Sequence, residues 1–203
     1  MRIGVLDYGM GNLGSVSYAL SRIGSKSSIV SQAEGIDGCS ALILPGVGSF
    51  GPAMGRLESF REPLAKFVRS GRPLLGICLG MQVLFERGTE NGSYDGLGLL
   101  EGSVTKLAKA PKLPQVGWNT VEFARSSRLM AGLRDGDYFY FVHSYACRPD
   151  SPDAVVCTTG YGTKFASVVE KGNVFGTQFH PEKSGAAGEL LLRNFVGLAG
   201  KCR

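Results

Sequence analysis

The sequence predicts an α/β protein with a doubly wound, mostly parallel or mixed sheet arranged in three α/β/α layers. Through about residue 85, short apolar runs typical of buried strands alternate with segments of helical periodicity. Alternation of this kind places helices on both faces of a parallel sheet. From Gly98 to about Thr163 the chain changes to short β-rich runs separated by Gly, Pro and Asp, which predicts hairpins and mixed-sheet strands.

Local patterns predict the individual elements. Apolar or β-branched runs indicate early strands at 3–6, 28–30, 41–44 and 74–77. Apolar spacing predicts helices over 13–23, 54–67 and 79–85, and Ser184 is expected to cap a final helix that continues through Val196. Later strands are predicted at 116–123, 138–145 and 155–158, and Lys171-Gly172-Asn173 predicts a hairpin turn between 166–169 and 174–179.

Length and composition favour one domain over residues 1–203 with a sizeable core, because hydrophobic residues make up 43% and charged residues 19%. The net charge of +5 is spread along the chain, and this argues against nucleic-acid binding. The apolar run at the start is too short for a signal peptide or membrane span. We therefore expect a cytoplasmic protein that binds neither nucleic acid nor membrane.

The five cysteines are odd in number and none are paired at CxxC spacing, which argues against a disulfide framework and a structural zinc site. No metal or cofactor is expected. Four of the cysteines are interpreted as buried structural residues, because cysteine behaves as a small hydrophobe: Cys39, Cys147, Cys157 and Cys202.

Cys78 is interpreted differently, because Gly76-Ile77-Cys78-Leu79-Gly80 lies between a predicted strand and a predicted helix. This is the G-x-nucleophile-x-G form of a nucleophile elbow, with Cys in the place that Ser often takes. Flanking glycines remove the Cβ atoms that would collide in so sharp a turn. A helix N-terminus favours the thiolate, and the N–H of Leu79 is placed to receive an oxyanion.

A cysteine nucleophile usually requires a histidine base, and the chain has two histidines, His143 and His180. His180 follows an apolar run and precedes Pro181 and Glu182. One intervening residue in an extended backbone puts His180 and Glu182 on one side, where the carboxylate can accept the second imidazole N–H and fix the tautomer. For His143, in the run 141–145, a hydrogen-bonded structural role and a place in the site wall both remain open.

Two glycine loops follow predicted strands. Pro45-Gly46-Val47-Gly48 is expected at the carboxyl edge of the sheet, where the peptide of Val47 can turn its N–H toward a developing oxyanion. The second loop, with Gly9, Gly11 and Gly14, matches G-x-G-x-x-G, and Glu34 lies about twenty residues beyond it. This motif supports the main rival hypothesis, a dinucleotide-binding module, but leaves the elbow and His180 unexplained.

Taken together, the PGVG loop, the GICLGMQ elbow and the HPE segment resemble, in this order, class I glutamine amidotransferases. The resemblance covers the whole chain. Five stretches are similar to one branch of that family, which delivers ammonia to a cyclase in histidine biosynthesis: 7–13, 45–48 with Phe50, 117–119, 138–145 and 180–184.

The resemblance implies hydrolysis of L-glutamine to glutamate and ammonia. In that scheme Cys78 attacks the side-chain amide, His180 is the acid and base, and Glu182 orients His180. The oxyanion hole is formed by Val47 and Leu79. The substrate is held by Gly46, Gly48, Gln82, Ser144 and Tyr145.

The resemblance also implies a heterodimer with a (β/α)8-barrel cyclase, which receives the ammonia through a protected channel. That cyclase makes imidazole glycerol phosphate and an aminoimidazole carboxamide ribotide. Trp118, Asn119 and Lys183 are expected at the docking face, although a core position for Trp118 is the alternative. A glutaminase that feeds another synthase, such as pyridoxal phosphate synthase, is the nearest enzymatic alternative.

Overall fold

A computed structural model describes residues 1–200 and confirms the predicted α/β class. The strands are β1 (Ile3–Leu6), β2 (Ser27–Val30), β3 (Ala41–Leu44), β4 (Leu74–Ile77), β5 (Phe85–Gly88), β6 (Tyr94–Asp95), β7 (Leu100–Lys106), β8 (Gln115–Thr120), β9 (Glu122–Phe123), β10 (Tyr138–His143), β11 (Tyr145–Pro149), β12 (Val155–Tyr161), β13 (Thr163–Lys171) and β14 (Val174–Thr177). The α-helices are α1 (Leu13–Arg22), α2 (Phe50–Leu57), α3 (Arg61–Arg69), α4 (Leu79–Gln82) and α5 (Gly185–Ala199).

The central sheet has eight strands in the order β2-β1-β3-β4-β14-β13-β12-β9. The strands from β2 to β14 are parallel, and the remaining three pair antiparallel. The predicted mostly parallel, mixed sheet is therefore confirmed. The carboxyl ends of β1, β3, β4 and β14 lie at one edge, which is where sheets of this type place ligands.

Helices cover both faces of this sheet, so the three predicted layers are present. On one face, Leu20 of α1 and Phe195 of α5 share a buried apolar cluster with Ile43 of β3. On the other face, Phe67 of α3 packs in a second cluster with Leu44 of β3. Because neighbouring residues of a strand point to opposite faces, each buried strand contributes to both clusters.

Two smaller sheets flank the central one. Strands β11, β7, β5 and β6 form a four-stranded sheet, and β8 pairs with β10 in an antiparallel ribbon. Along β10, Phe139, Phe141 and His143 are buried, whereas the alternate residues Tyr138 and Tyr140 face outward. The ribbon therefore presents one face to the core and one to the surface.

Two predicted helices differ from the structure. The helix expected over 79–85 is wrong beyond Gln82, because Phe85 begins β5 and pairs with Leu100 of β7. The helix expected over 54–67 is divided by a 3₁₀ turn at Glu58–Phe60. Pro63 explains the division, since its ring would collide with the backbone in an uninterrupted helix but is tolerated in the first turn of α3.

The predicted hairpin and the predicted burial of three cysteines are confirmed. The hairpin at Gly172 joins β13 to β14, with Lys171 opposite Val174. Cys39, Cys147 and Cys157 are buried free thiols, and Cys202 lies outside the described residues. In residues 1–200, no helix has the length and apolar character needed to cross a membrane.

Glycines allow the turn after β4 to pack directly against the end of β3. A Cβ atom at Gly80 would overlap the carbonyl oxygen of Leu44, and one at Gly76 would lie 2.5 Å from the carbonyl oxygen of Gly80. Real Cβ atoms do not approach backbone this closely, so neither position accepts a side chain without backbone movement. The elbow and the loop after β3 are thereby held in contact.

We predict that Gly80→Ala lowers the free energy of unfolding by about 2–3 kcal/mol, since overpacking against fixed backbone cannot relax. Gly55→Ala is the matched control, because Gly55 lies in α2 and a Cβ atom added there would meet nothing within 4 Å. That control is expected to be neutral or stabilising by up to about 1 kcal/mol. Urea denaturation gives both values, and equal midpoints for the two variants would contradict the prediction.

Candidate active site

Cys78 lies between β4 and α4 in a strained backbone conformation, with φ of 55° and ψ of −111°. A positive φ is uncommon outside glycine and has to be held by surrounding structure. Here the N–H of Cys78 donates to the carbonyl oxygen of Thr177 at 2.7 Å, and its carbonyl accepts from the N–H of Gln82 at 3.1 Å. The predicted elbow is therefore present, with its strain anchored on both sides.

Helix α4, which follows the nucleophile, has four residues. The macrodipole predicted to favour the thiolate is therefore that of a single turn. The first N–H groups of a helix have no intrahelical acceptor, and among residues 1–200 the N–H of Leu79 has no backbone acceptor. Leu79 thus retains the donor expected for an oxyanion.

His180 and Glu182 form the predicted pair. Nδ1 of His180 lies 2.8 Å from Oε1 of Glu182, and their side chains are 4% and 2% exposed. The backbone of His180 is also fixed, because its N–H donates to the carbonyl of Tyr140 and its carbonyl accepts from Oγ of Ser184. Ser184 precedes α5 as predicted, but it does not cap the helix, since its side chain holds His180 instead.

The groups around the His180 imidazole determine its pKa. Burial alone would lower the pKa of His180, but hydrogen bonds to Cys78 and Glu182 and the negative charges of both outweigh it and raise the pKa to about 10. The imidazole is therefore protonated at neutral pH when Cys78 is a thiolate. An imidazolium beside a thiolate is the resting arrangement of a nucleophile and its acid.

A buried chain of amides adjoins the nucleophile. Nε2 of Gln82 donates to the carbonyl of Tyr145 at 3.0 Å and to Oε1 of Gln178 at 3.1 Å, and Nε2 of Gln178 lies 3.8 Å from Sγ of Cys78. Gln178 is fully buried and was not predicted as a site residue. The signal for it was present, because a polar amide interrupts the apolar run that ends at His180.

His143 is both a structural and a site-wall residue. Its Nδ1 lies 2.8 Å from the carbonyl oxygen of Tyr145, and its ring packs edge-on against Phe165. Burial, together with the nearby charge of His180, lowers the pKa of His143 to about 4, although the bond to Tyr145 opposes this. A neutral His143 therefore donates from Nδ1 and anchors the strand that borders the nucleophile.

The loop after β3 approaches the elbow, but its peptide is turned away. The N–H of Val47 donates to the carbonyl oxygen of Met10 at 3.1 Å. In this conformation the predicted second oxyanion donor is already engaged. Gly46 packs behind the cleft, where a Cβ atom would lie 2.7 Å from the N of Gly80, and Gly48 has φ of 109°.

These elements enclose a cleft of about 290 Å³. The predicted residues that line it are Val47, Gly48, Cys78, Leu79, Gln82, Ser144, Tyr145, His180 and Lys183. Glu182 lies behind His180, and neither Trp118 nor Asn119 reaches the cleft. Lining residues that the sequence did not point to are Glu90, Pro114 and Val142.

Trp118 lies on the outer face of the β8–β10 ribbon and is 56% exposed, which excludes the core position. Val116 and Tyr138 are exposed on the same face, and Nζ of Lys183 lies 5.9 Å from the ring centre of Tyr140. Asn119 points to the other face and donates to the carbonyl of Gly160 at 3.0 Å. The structure therefore separates Asn119 from Trp118, because successive residues of a strand alternate in direction.

The G-x-G-x-x-G segment packs against the loop after β3. Besides the bond from Val47 to Met10, a Cβ atom at Gly11 would lie 3.0 Å from the ring of Pro45. Asn12 caps α1 by accepting from the N–H of Ser15 at 3.1 Å. Close packing against Pro45 thus accounts for Gly11 without a nucleotide, and the rival hypothesis loses its main support.

Comparison with known proteins agrees with this geometry. The family model for "Glutamine amidotransferase class-I" matches residues 4–198. A crystal structure described as a glutamine amidotransferase superposes with a TM-score of 0.77 at 26% identity, covering 98% of each chain. The chain belongs to the class I glutamine amidotransferases, which are enzymes.

Curated relatives define the family more narrowly. Imidazole glycerol phosphate synthase subunit HisH of Methanocaldococcus jannaschii is 46% identical, over 97% of this chain and 99% of that protein. The protein of the same name from Geobacillus kaustophilus is 49% identical, over 97% of each chain. Within its class, the chain therefore belongs to the HisH family. Neither the pyridoxal phosphate synthase nor the dinucleotide-binding alternative is favoured.

We predict that the two histidines titrate far from the ordinary value, near pH 10 for His180 and near pH 4 for His143. Glu182→Gln and Cys78→Ala should each lower the pKa of His180, because each removes one of the negative partners that raise it. Histidine ring ¹⁵N chemical shifts followed from pH 3 to 11 measure these values. A His180 that titrates near 6.5 in the wild-type protein would refute the assignment.

Proposed function

We propose that the chain hydrolyses L-glutamine with Cys78 as nucleophile, His180 as acid and base, and Glu182 as the residue that orients His180. The observation that carries this proposal is the strained Cys78 beside a buried His180–Glu182 pair, at one wall of a cleft. Membership of the glutamine amidotransferase family supplies the substrate class.

The thiolate of Cys78 attacks the carbon of the side-chain amide, and the carbonyl oxygen becomes an oxyanion. His180 transfers its proton to the amide nitrogen, the C–N bond breaks, and ammonia leaves a glutamyl thioester on Cys78. The neutral imidazole then takes a proton from water, the hydroxide attacks the thioester, and glutamate departs. Leu79 donates its N–H to the oxyanion in both steps.

Completion of the oxyanion hole requires the peptide of Val47 to turn. Its N–H now donates to the carbonyl of Met10, so it is withheld from the cleft. Glycine on both sides of Val47 keeps the barrier to rotation low. We infer that this loop restrains the glutaminase until a partner favours the turned conformation.

Substrate recognition fits the remaining lining groups. Glu90 is the one carboxylate that lines the cleft among the described residues, and its charge complements the α-ammonium group of glutamine. Ser144 and Tyr145 border the same space. Gln82 holds this segment in place, because its amide donates to the carbonyl of Tyr145. Because Gly46 and Gly48 have no side chains, the backbone of the loop can approach the substrate closely.

The partner we propose is a (β/α)8-barrel cyclase that binds as a heterodimer and uses the ammonia to make imidazole glycerol phosphate and an aminoimidazole carboxamide ribotide. Ammonia in water near neutral pH is largely protonated and no longer nucleophilic, so transfer requires a dry passage. The exposed Val116, Trp118 and Tyr138 offer an apolar docking face, with Lys183 at the cleft. The free thiols of the described cysteines fit a cytoplasmic location.

We predict that glutamate release is low for the chain alone and rises strongly with a purified barrel cyclase and its nucleotide ligand. Cys78→Ala should abolish it in both conditions, because no other group in the cleft can form the thioester. An unchanged circular dichroism spectrum and melting temperature serve as the control for folding. Glutamate release indifferent to the cyclase would count against the partner, and a fully active Cys78→Ala protein would overturn the nucleophile.

We predict that Trp118→Ala weakens binding to the cyclase by about 2 kcal/mol, or roughly thirtyfold in Kd, as is typical of a central aromatic anchor. Its melting temperature should change little, because the side chain is 56% exposed. Tyr18→Ala is the matched control, since Tyr18 is 66% exposed and belongs to α1, not to the ribbon. Isothermal titration calorimetry measures both, and equal affinities would exclude Trp118 from the docking face.

A further inference from the structure

Tyr8 follows β1 and carries a buried hydroxyl that no motif explained. The residue is 5% exposed, and within residues 1–200 its hydroxyl has no hydrogen-bond partner. Leaving a buried polar group unsatisfied is costly, and native proteins rarely retain one without a reason. The hydroxyl is therefore a candidate for a bond that forms in another state of the protein.

The position of the Tyr8 hydroxyl indicates in which state of the protein the bond forms. A Cβ atom built on Gly46 would lie 2.6 Å from the Tyr8 oxygen, 2.7 Å from the N of Gly80 and 2.9 Å from Cβ of Leu79. The hydroxyl thus lies beside Gly46, where the loop after β3 packs against the elbow. It adjoins Gly46, whose carbonyl belongs to the same peptide group as the N–H of Val47.

The hydroxyl also keeps its proton and so remains available as a donor. Burial, and to a lesser extent the negative charge of Cys78, raise the pKa of Tyr8 well above its usual range. The phenol consequently keeps its proton well above neutral pH. A donor beside Gly46 can bond to the carbonyl of that residue once the peptide has turned.

We propose that Tyr8 is a positioning residue that stabilises the turned conformation of the Gly46–Val47 peptide. The N–H and C=O of a peptide group point in opposite directions, so both reverse when the group rotates. As the N–H of Val47 leaves Met10 for the oxyanion hole, the carbonyl of Gly46 swings to accept from the hydroxyl of Tyr8. The inference rests on the proposed function and adds a specific donor to its loop rotation.

Tyr8→Phe tests this, because it removes the hydroxyl and keeps the ring. The assay is glutamate release in the complex with the barrel cyclase and its nucleotide ligand, with a melting curve of the same sample. We expect kcat in the stimulated complex to fall about five- to tenfold, the effect of one net hydrogen bond, with KM unchanged. The melting temperature should stay the same or rise, since the substitution removes an unpaired polar group.

Tyr18→Phe is the matched control, because Tyr18 is exposed on α1 and its substitution should leave all three quantities unchanged. An unchanged stimulated kcat in Tyr8→Phe would overturn the proposal. A lowered melting temperature or a failure to fold would overturn it as well, because the hydroxyl would then already be partnered at rest. If the wild-type chain itself is not stimulated, the proposed function fails first, and that result is distinct from a failure of Tyr8 alone.

A structure of the stimulated complex provides a second measurement that does not depend on the variant. It should place the hydroxyl of Tyr8 within about 3 Å of the carbonyl oxygen of Gly46, with the N–H of Val47 directed at the cleft. A turned peptide whose carbonyl accepts from another group would refute the role of Tyr8.

Discussion

The contact of backbone on backbone between the elbow and the end of β3 is the constraint on which the rest of the site depends. Gly80 lies so close to the carbonyl of Leu44 that no side chain fits between them. This contact fixes Leu79 relative to the loop at Gly46, although the two come from different parts of the chain. Because parallel strands end at one sheet edge, the bond from Cys78 to Thr177 brings β14, and with it His180, into the same frame.

Electrostatics make Cys78, His180 and Glu182 depend on one another. Burial disfavours each charge, and a buried charge whose partner is removed is left uncompensated. His180 stays protonated because Cys78 and Glu182 both face it. A second cation nearby would lower the pKa of His180. His143 is not such a cation, because its burial keeps it neutral. The surroundings thus shift the pKa values of the two histidines in opposite directions, upward for His180 and downward for His143.

Sequence patterns predicted most of this fold, because they report local periodicity and turn chemistry. Strands β1, β3 and β4 follow from apolar runs, and the elbow follows from glycines around Cys78. The short length of α4 could not be predicted, since the apolar residues after Gln82 fit a helix as well as a strand. Pairing of Phe85 with β7, a contact distant in the chain, decides between them.

The elbow and the His180–Glu182 pair were predictable for a similar reason, because residue types and spacing suffice when histidines are scarce. Groups that act through tertiary contacts could not be predicted from the sequence. Ser184 has the right residue type and place for a helix cap, yet its hydroxyl serves His180. Asn119 adjoins Trp118 in sequence but faces the other way. Tyr8 lies in the stretch 7–13 that resembles the family, but nothing in that stretch assigns it a role, and its significance arises from the atoms that surround its hydroxyl.

If only the Val47 peptide turns while the rest of the site stays fixed, a small change in free energy is enough to control activity. The bond between Val47 and Met10 contributes about 1 kcal/mol net, which corresponds to roughly a fivefold preference for the resting conformation. The proposed bond from Tyr8 would offset part of that loss in the turned conformation, so the resting conformation stays favoured by a small free energy. A partner then needs only a modest differential affinity to shift the population. Val47 is 44% exposed, so a docked subunit can contact the loop directly.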